Sequence, residues 1–161
     1  MILIALGANL PSPVGTPAET LKQALLLLAQ RAITIEKQSG FYRTPAWPDP
    51  EDPPFINTVA RIDTRLDPAQ LLAVLHETEA MFGRARSVPN APRTLDLDII
   101  DYDGRVEKGP PELPHPRMQS RLFVLCPLKD VAPDWRHPVS GLTVAELIAR
   151  LPPDAIQRVT D

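Results

Sequence analysis

The sequence predicts a single domain, residues 1–161, in which helices cover a β-sheet. Its length is that of one ordinary domain with a core of its own. Segment 92–100 alternates as a strand that is apolar on one face, and such a face has to be covered. Two other segments begin with helix-capping residues and continue with leucines at helical spacing, which supplies the covering layer.

Capping and turn residues set the order of the elements. An apolar strand over 1–6 is followed by Thr16-Pro17, an N-cap with proline behind it, and by a helix to about residue 31. Asp67-Pro68 begins a second helix in the same way, and Gly83 ends it. We also expect strands over 33–41 and 55–62, a hairpin turn at 103–104, and helices over 123–131 and 142–151.

Asp96 and Asp98 form the first candidate site. They lie two residues apart and therefore share one face of the predicted strand, opposite Leu95, Leu97 and Ile99. Two neighbouring carboxylates repel each other, and a bound cation relieves that repulsion. Hard oxygen ligands suit Mg²⁺, which takes one or two carboxylates and completes its shell with water and substrate phosphate. The alternative is a solvated strand face that carries two exposed aspartates.

The segment before this strand is rich in arginine and poor in apolar anchors. Arg84, Arg86 and Arg93 fall within 83–93, so we expect a mobile loop that encloses an anion between its cations and the two aspartates. The alternative is a solvated basic loop that only neutralises the aspartates.

A further candidate feature lies around the proline-rich loop 44–54. Trp47 stands between Pro45 and Pro48, which restrict the backbone and keep the ring out of the core. In the next strand Asn57 shares a face with Phe55, and a polar amide on an apolar face needs a partner. The amide either caps a loop or reads the edge of a flat heterocyclic ligand through its donor and its acceptor.

Composition and missing motifs argue against several classes of protein. The net charge of −3 gives no general attraction to nucleic acid or to an anionic membrane, and we expect neither a signal peptide nor a membrane span from the short first apolar run. A single cysteine, Cys126, excludes an internal disulfide and fits a reducing cytoplasm. The P-loop, G-x-S-x-G and H-E-x-x-H motifs are absent. What remains is a carboxylate pair with mobile arginines, which suits phosphoryl transfer.

Six segments, in order along the chain, carry a specific resemblance. They are 7–10, 41–45, 55–57, 83–86, 92–98 and 114–115, and Pro92-Arg93-Thr94-Leu95-Asp96-Leu97-Asp98 is the most specific. Together they resemble the 6-hydroxymethyl-7,8-dihydropterin pyrophosphokinase family of folate biosynthesis. The resemblance implies a ferredoxin-like α+β sandwich, with a mostly antiparallel sheet and helices packed on it. It also implies ATP, two Mg²⁺ ions, transfer of pyrophosphate to the pterin hydroxymethyl group, and release of AMP. We expect a cytoplasmic monomer.

The resemblance also implies roles for individual residues. Asp96 and Asp98 resemble the metal ligands, and Arg84 and Arg93 resemble arginines that stabilise the phosphates in catalysis. Residues that resemble the ATP contacts are Leu72, His76, Glu79, Arg86, Arg93, Ile99, His115 and Arg121. Residues that resemble the pterin pocket are Thr44, Pro45, Trp47, Phe55, Asn57 and Phe123.

One departure concerns the loop that closes over the substrates. Pro89-Asn90-Ala91 stands where the family commonly has an Arg-Trp pair, so the aromatic that covers the pterin is missing. Two other functions stay open at this point. One is a non-catalytic pterin- or nucleotide-binding domain, which the intact Asp96, Asp98 and Arg93 argue against. The other is a metal-dependent phosphohydrolase that uses water in place of the pterin alcohol.

Overall fold

A six-stranded sheet forms the centre of the protein, which a computed structural model describes over residues 1–46, 49–83, 94–153 and 155–159. The strands are β1 Ile2–Ala8, β2 Ile33–Gln38, β3 Tyr42–Thr44, β4 Phe55–Thr64, β5 Asp96–Tyr102 and β6 Gln157–Arg158. They lie in the order β5-β1-β4-β3-β6, and β2 pairs with the other half of β4. Every assigned pair of strands is antiparallel.

Four α-helices in the described ranges cover this sheet. They are α1 Pro17–Leu28, α2 Pro68–Met81, α3 Leu122–Val131 and α4 Val144–Ala149. α1 and α2 begin at the predicted caps, where the side chains of Thr16 and Asp67 accept the backbone N–H groups three residues ahead. None of the described helices has the length and apolar character needed to cross a membrane.

The alternation of side chains along the strands divides the core into two layers. Ile4 of β1 and Leu97 of β5 pack with α1 and α2 on one face of the sheet. Leu3, Val59 and Ile100 pack with α3 and α4 on the other face. Because helices cover both faces, the predicted α+β sandwich with a mostly antiparallel sheet is confirmed.

The predicted second strand is wrong beyond residue 38. Ser39 interrupts it, because its side-chain Oγ accepts the backbone N–H of Val59 at 3.0 Å where the ladder would otherwise continue. Its Oγ also lies 2.8 Å from the hydroxyl of Thr58, and the chain resumes as β3 only at Tyr42. The interruption separates β2 from β3, and β3 then forms one wall of the site described below.

The predicted hairpin after β5 is also wrong, although its turn is present. Asp103 and Gly104 have φ angles of 53° and 72°, as a tight turn requires. Within the described ranges, however, no strand returns to pair with β5. Instead the backbone N–H of His115 donates to the carbonyl of Ile100 at 2.9 Å, which places His115 beside β5.

Candidate active site

A cavity of about 440 Å³ opens on the α3 face of the sheet. Its floor consists of β5, β1 and β4, which lie side by side, and its walls come from β3, from segment 115–121 and from the start of α3. The cavity therefore spans the sheet from its β5 edge to β3.

Asp96 and Asp98 line this cavity from β5 and pair in register with Gly7 and Ala5 of β1. Both aspartates are half-buried, whereas Leu97 between them is buried in the core on the opposite face. The predicted common face of the two carboxylates is thus present. No group of three or more potential ligands forms a metal cluster within the described ranges. The pair suits a cation such as Mg²⁺, which takes few carboxylates and fills its shell with water and phosphate oxygens.

Backbone hydrogen bonds fix the orientation of His115. Its Nδ1 accepts the backbone N–H of Arg117 at 3.2 Å, so the neutral ring carries its proton on Nε2. That Nε2 lies 4.0 Å from Oδ1 of Asp98. Burial, and then the charge of Arg121, lower the pKa of His115 to about 4. At neutral pH the ring is therefore an uncharged hydrogen-bond donor at the side of the carboxylates.

Positive charge lies on the wall formed by segment 115–121 and the start of α3. Arg117 and Arg121 both line the cavity, and the guanidinium of Arg121 lies 5.4 Å from the ring centre of Phe123. α3 begins at Leu122, and no described side chain caps its first N–H groups. A helix N-terminus and two guanidinium groups are well suited to phosphate oxygens.

Towards β3 and β4 the cavity becomes apolar, with one amide. Phe55, Phe123 and Pro45 line it together with Asn57, which is 6% exposed. Nδ2 of Asn57 donates to Oγ1 of Thr44 at 3.3 Å. A second amide hydrogen and the amide oxygen can pair with a ligand, so this end suits a flat ring with a polar edge.

The proline-rich loop beside this end is tied to the chain after β1. Asn9 is buried, and its Nδ2 donates to the carbonyl of Pro53 at 3.1 Å. The bond fixes the far end of the loop that carries Trp47. Trp47 itself lies outside the described residues.

The cavity brings together nine of the residues that the sequence predicted for the site. They are Thr44, Pro45, Phe55, Asn57, Asp96, Asp98, His115, Arg121 and Phe123. Arg84, Arg86 and Arg93 lie, like Trp47, outside the described residues, and the predictions about them stay predictions.

Four other predicted residues do not line the cavity. Ile99 is buried in the core on the other face of the sheet, and Leu72 packs partly buried against that core. His76 is exposed on α2. Glu79 is 1% exposed and accepts the backbone N–H of Leu97 at 2.9 Å. Their contact with a nucleotide stays a prediction.

Seven residues that line the cavity were not predicted, among them Arg117, Ser120 and Gly7. Arg117 precedes and Ser120 ends the 3₁₀ helix Met118–Ser120, which is too short to show a periodic pattern. The one signal that could have identified them is their closeness in sequence to His115 and Arg121. Gly7 lies just beyond the strand predicted over 1–6, but β1 continues to Ala8 and places Gly7 opposite Asn57.

This combination defines a class of enzyme. A carboxylate pair, guanidinium groups and a helix N-terminus suit a polyphosphate with a divalent cation, and the adjoining apolar slot suits a flat heterocycle. Such a site suits the transfer of a phosphoryl or pyrophosphoryl group from a polyphosphate to a ring-bearing acceptor.

Comparison with known proteins narrows the class to one family. Residues 3–133 match the family model of 7,8-dihydro-6-hydroxymethylpterin-pyrophosphokinase (HPPK). The 2-amino-4-hydroxy-6-hydroxymethyldihydropteridine pyrophosphokinase of Synechocystis is 40% identical over 151 residues, which cover 92% of this chain and 75% of that protein. The enzyme of the same name from Methylorubrum extorquens is 39% identical over 97% of this chain and 96% of that protein. The chain belongs to the HPPK family.

A solved structure shares the fold. The HPPK-DHPS protein of Plasmodium falciparum superposes with a TM-score of 0.69 at 14% sequence identity. The match covers 92% of this chain but only 44% of that longer chain. At this identity the likeness supports the ferredoxin-like α+β fold, and it says nothing of the remaining part of the longer protein.

Proposed function

We propose that this pyrophosphokinase transfers the terminal pyrophosphoryl group of ATP to the hydroxymethyl group of 6-hydroxymethyl-7,8-dihydropterin and releases AMP. The observation that carries the proposal is that one cavity joins Asp96 and Asp98 to the amide of Asn57. Membership of the HPPK family supports the same reaction.

In the proposed reaction the hydroxymethyl oxygen of the pterin attacks the β-phosphorus of ATP. A new oxygen–phosphorus bond forms, the bridge between the α- and β-phosphates breaks, and AMP leaves with the bridging oxygen. The hydroxymethyl proton passes to water. The reaction requires alignment of two substrates and neutralisation of charge, so the protein acts mainly by positioning and electrostatics.

At the polyphosphate end, Asp96 and Asp98 would hold two Mg²⁺ ions. When bound, the ions neutralise the charge that spreads over the phosphate oxygens. Nε2–H of His115 would donate to a phosphate oxygen, because its Nδ1 is already held by Arg117. Arg121 would pair with the phosphates from the neighbouring wall. We propose, on the basis of the sequence resemblance, that Arg84, Arg86 and Arg93 also bind the polyphosphate of ATP.

At the other end, the pterin ring would lie between Phe55 and Phe123, with its polar edge on the amide of Asn57. Both the faces and the polar edge of the pterin then have partners. The phenyl rings contact its apolar faces, and the Asn57 amide pairs with the hydrogen-bond donors and acceptors at its edge. Thr44 keeps Nδ2 of Asn57 in place. We further propose that the protein acts as a monomer in the cytoplasm on these small molecules alone.

Nucleotide analysis tests the proposal against both alternatives. The protein is incubated with ATP and Mg²⁺, with and without 6-hydroxymethyl-7,8-dihydropterin, and the nucleotides are separated by anion exchange. We expect AMP and pterin diphosphate in equal amounts, and no AMP without pterin. AMP or ADP formed equally without pterin would indicate a phosphohydrolase. Binding of both substrates without AMP would indicate a non-catalytic domain.

A further inference from the structure

Gly7 and Asn57 face each other across two paired strands of the cavity floor. They are partners in the register between β1 and β4, and both line the cavity. A Cβ atom built on Gly7 would lie only 2.7 Å from Oδ1 of Asn57. Atoms of this kind cannot approach so closely, so the amide occupies its present position only because residue 7 has no side chain.

The backbone does not account for this glycine. The glycines with positive φ are at positions 15, 83, 104, 109 and 141, so Gly7 has an extended conformation open to any residue. A glycine inside a strand costs about 0.5–1 kcal/mol relative to alanine. Glycine at such a position commonly marks the close approach of another group, and here that group is the amide of Asn57.

The opposite side of the amide is held by Thr44. The bond from Nδ2 of Asn57 to Oγ1 of Thr44 is 3.3 Å long, and both residues are buried. A single long bond leaves the amide free to rotate away, whereas the space at Gly7 and the bond to Thr44 together define one position for it. In that position Asn57 lines the cavity with one amide hydrogen and its amide oxygen not used by Thr44.

We infer that Gly7 is a positioning residue that determines specificity for the heterocycle, by leaving the space that the Asn57 amide needs. The inference rests on the proposed function, because it takes the ring bound beside Asn57 to be the pterin. It concerns the Asn57 side of β1, although Gly7 also pairs with Asp96 on the other side. The carboxylates of Asp96 and Asp98 lie on β5, on the other side of β1 from Asn57.

The test is substitution Gly7→Ala, with binding of 6-hydroxymethyl-7,8-dihydropterin and of Mg-ATP measured separately by calorimetry. We expect the pterin Kd to rise about 10- to 100-fold, as for the loss of one or two buried hydrogen bonds. The ATP Kd should stay within about twofold, because the atoms nearest to the new Cβ belong to Asn57 and Ile56 and not to Asp96, with which Gly7 also pairs. Gly40→Ala is the matched control, because the three atoms nearest to its new Cβ all belong to the guanidinium end of the exposed Arg158 side chain.

A second background separates positioning from general damage. Asn57→Ala protein lacks the amide oxygen that the new Cβ at residue 7 would approach. Adding Gly7→Ala in this background should therefore change the pterin Kd less than twofold. That double variant also relieves the crowding, and it keeps the test valid if Gly7→Ala alone fails to fold. The inference is overturned if Gly7→Ala weakens pterin binding by the same factor in both backgrounds, or weakens ATP binding equally. Failure of the unsubstituted protein to bind pterin at all would instead overturn the proposed function.

Discussion

The carboxylate of Glu79 accepts the backbone N–H of Leu97 at 2.9 Å, at the residue that separates Asp96 from Asp98. β5 is the edge strand of the sheet, so its outer backbone groups need partners from outside the sheet. α2 thus supports the strand that carries the two candidate metal ligands. Glu79 is buried behind that strand, on the face opposite the cavity.

The effect of replacing Glu79 on stability and activity should therefore depend on whether the new side chain can still accept the N–H of Leu97. Glu79→Leu leaves the N–H of Leu97 unpaired and should lower the free energy of unfolding by about 1–3 kcal/mol. It should also lower kcat, because the edge strand under Asp96 and Asp98 loses its support. Glu79→Gln still has a side-chain oxygen that can accept this N–H. It should retain most of the free energy of unfolding, measured by chemical denaturation, and most of kcat, measured in steady-state assays. Equal losses in the two variants would contradict this account.

Asp96→Asn and Asp98→Asn should each reduce kcat by about 10²-fold or more, as expected for loss of charge that holds a cation on the transferring group. Both side chains are half-buried on the cavity floor, so we expect little change in thermal stability. Steady-state kinetics with increasing Mg²⁺ provides the measurement. Near-normal activity in either variant would remove that aspartate from the site.

Arg84→Ala should mainly lower kcat, by about 10²- to 10³-fold, if Arg84 stabilises charge in the transition state. The measurement is steady-state kinetics with each substrate varied in turn. A rise in KM at unchanged kcat would mean uniform ground-state binding, and Arg84 would then not be a catalytic residue.

His115 should titrate far below an ordinary histidine in the magnesium-free protein. Its pKa is lowered to about 4, first by burial and then by Arg121. In the unfolded chain it is about 6.5, so the unfolded state binds the proton first as pH falls. The contribution of His115 to stability is thus complete above about pH 6.5 and is lost towards pH 4. An NMR titration of the ring should give a midpoint near pH 4, and a midpoint near 6.5 would show that the ring is solvated.

Trp135 should matter for stability through its hydrogen bond. Its Nε1–H donates to Oδ2 of Asp101 at 2.8 Å, and both residues are buried. Trp135→Phe leaves that carboxylate oxygen without the donor and should cost about 1–3 kcal/mol of unfolding free energy. In an Asp101→Ala background the same substitution should cost less, and equal costs would refute the importance of the bond.

The parts of the fold that follow from local chemistry could be predicted from the sequence. Side-chain alternation placed Asp96 and Asp98 on one face because the strand period is two. The starts of α1 and α2 followed from capping residues that make the expected bonds in the structure. Asp96, Asp98 and Asn57 could be identified from their chemistry. The other cavity residues that were predicted, Thr44, Pro45, His115, Arg121 and Phe123, followed only from the family resemblance.

What depends on distant contacts could not be predicted. Ser39 interrupts the second strand because its hydroxyl bonds to Val59, twenty residues further along the chain. The register between β1 and β5 shifts so that Leu3 faces Asp101 and Ile4 faces Ile99, and no local pattern marks this bulge. The need for a glycine at position 7 likewise could not be predicted, because it arises only from the pairing of β1 with β4, which places Asn57 beside Gly7.

The most direct test of the central claim is a crystal structure with Mg²⁺, 6-hydroxymethyl-7,8-dihydropterin and α,β-methylene-ATP, whose bridging carbon blocks the bond cleavage. We predict the pterin between Phe55 and Phe123 with its edge on Asn57, and Mg²⁺ joined to both Asp96 and Asp98 and to the phosphates. The hydroxymethyl oxygen should face the β-phosphorus. Phosphates bound away from the two aspartates, or a pterin ring outside the slot beside Asn57, would contradict the account.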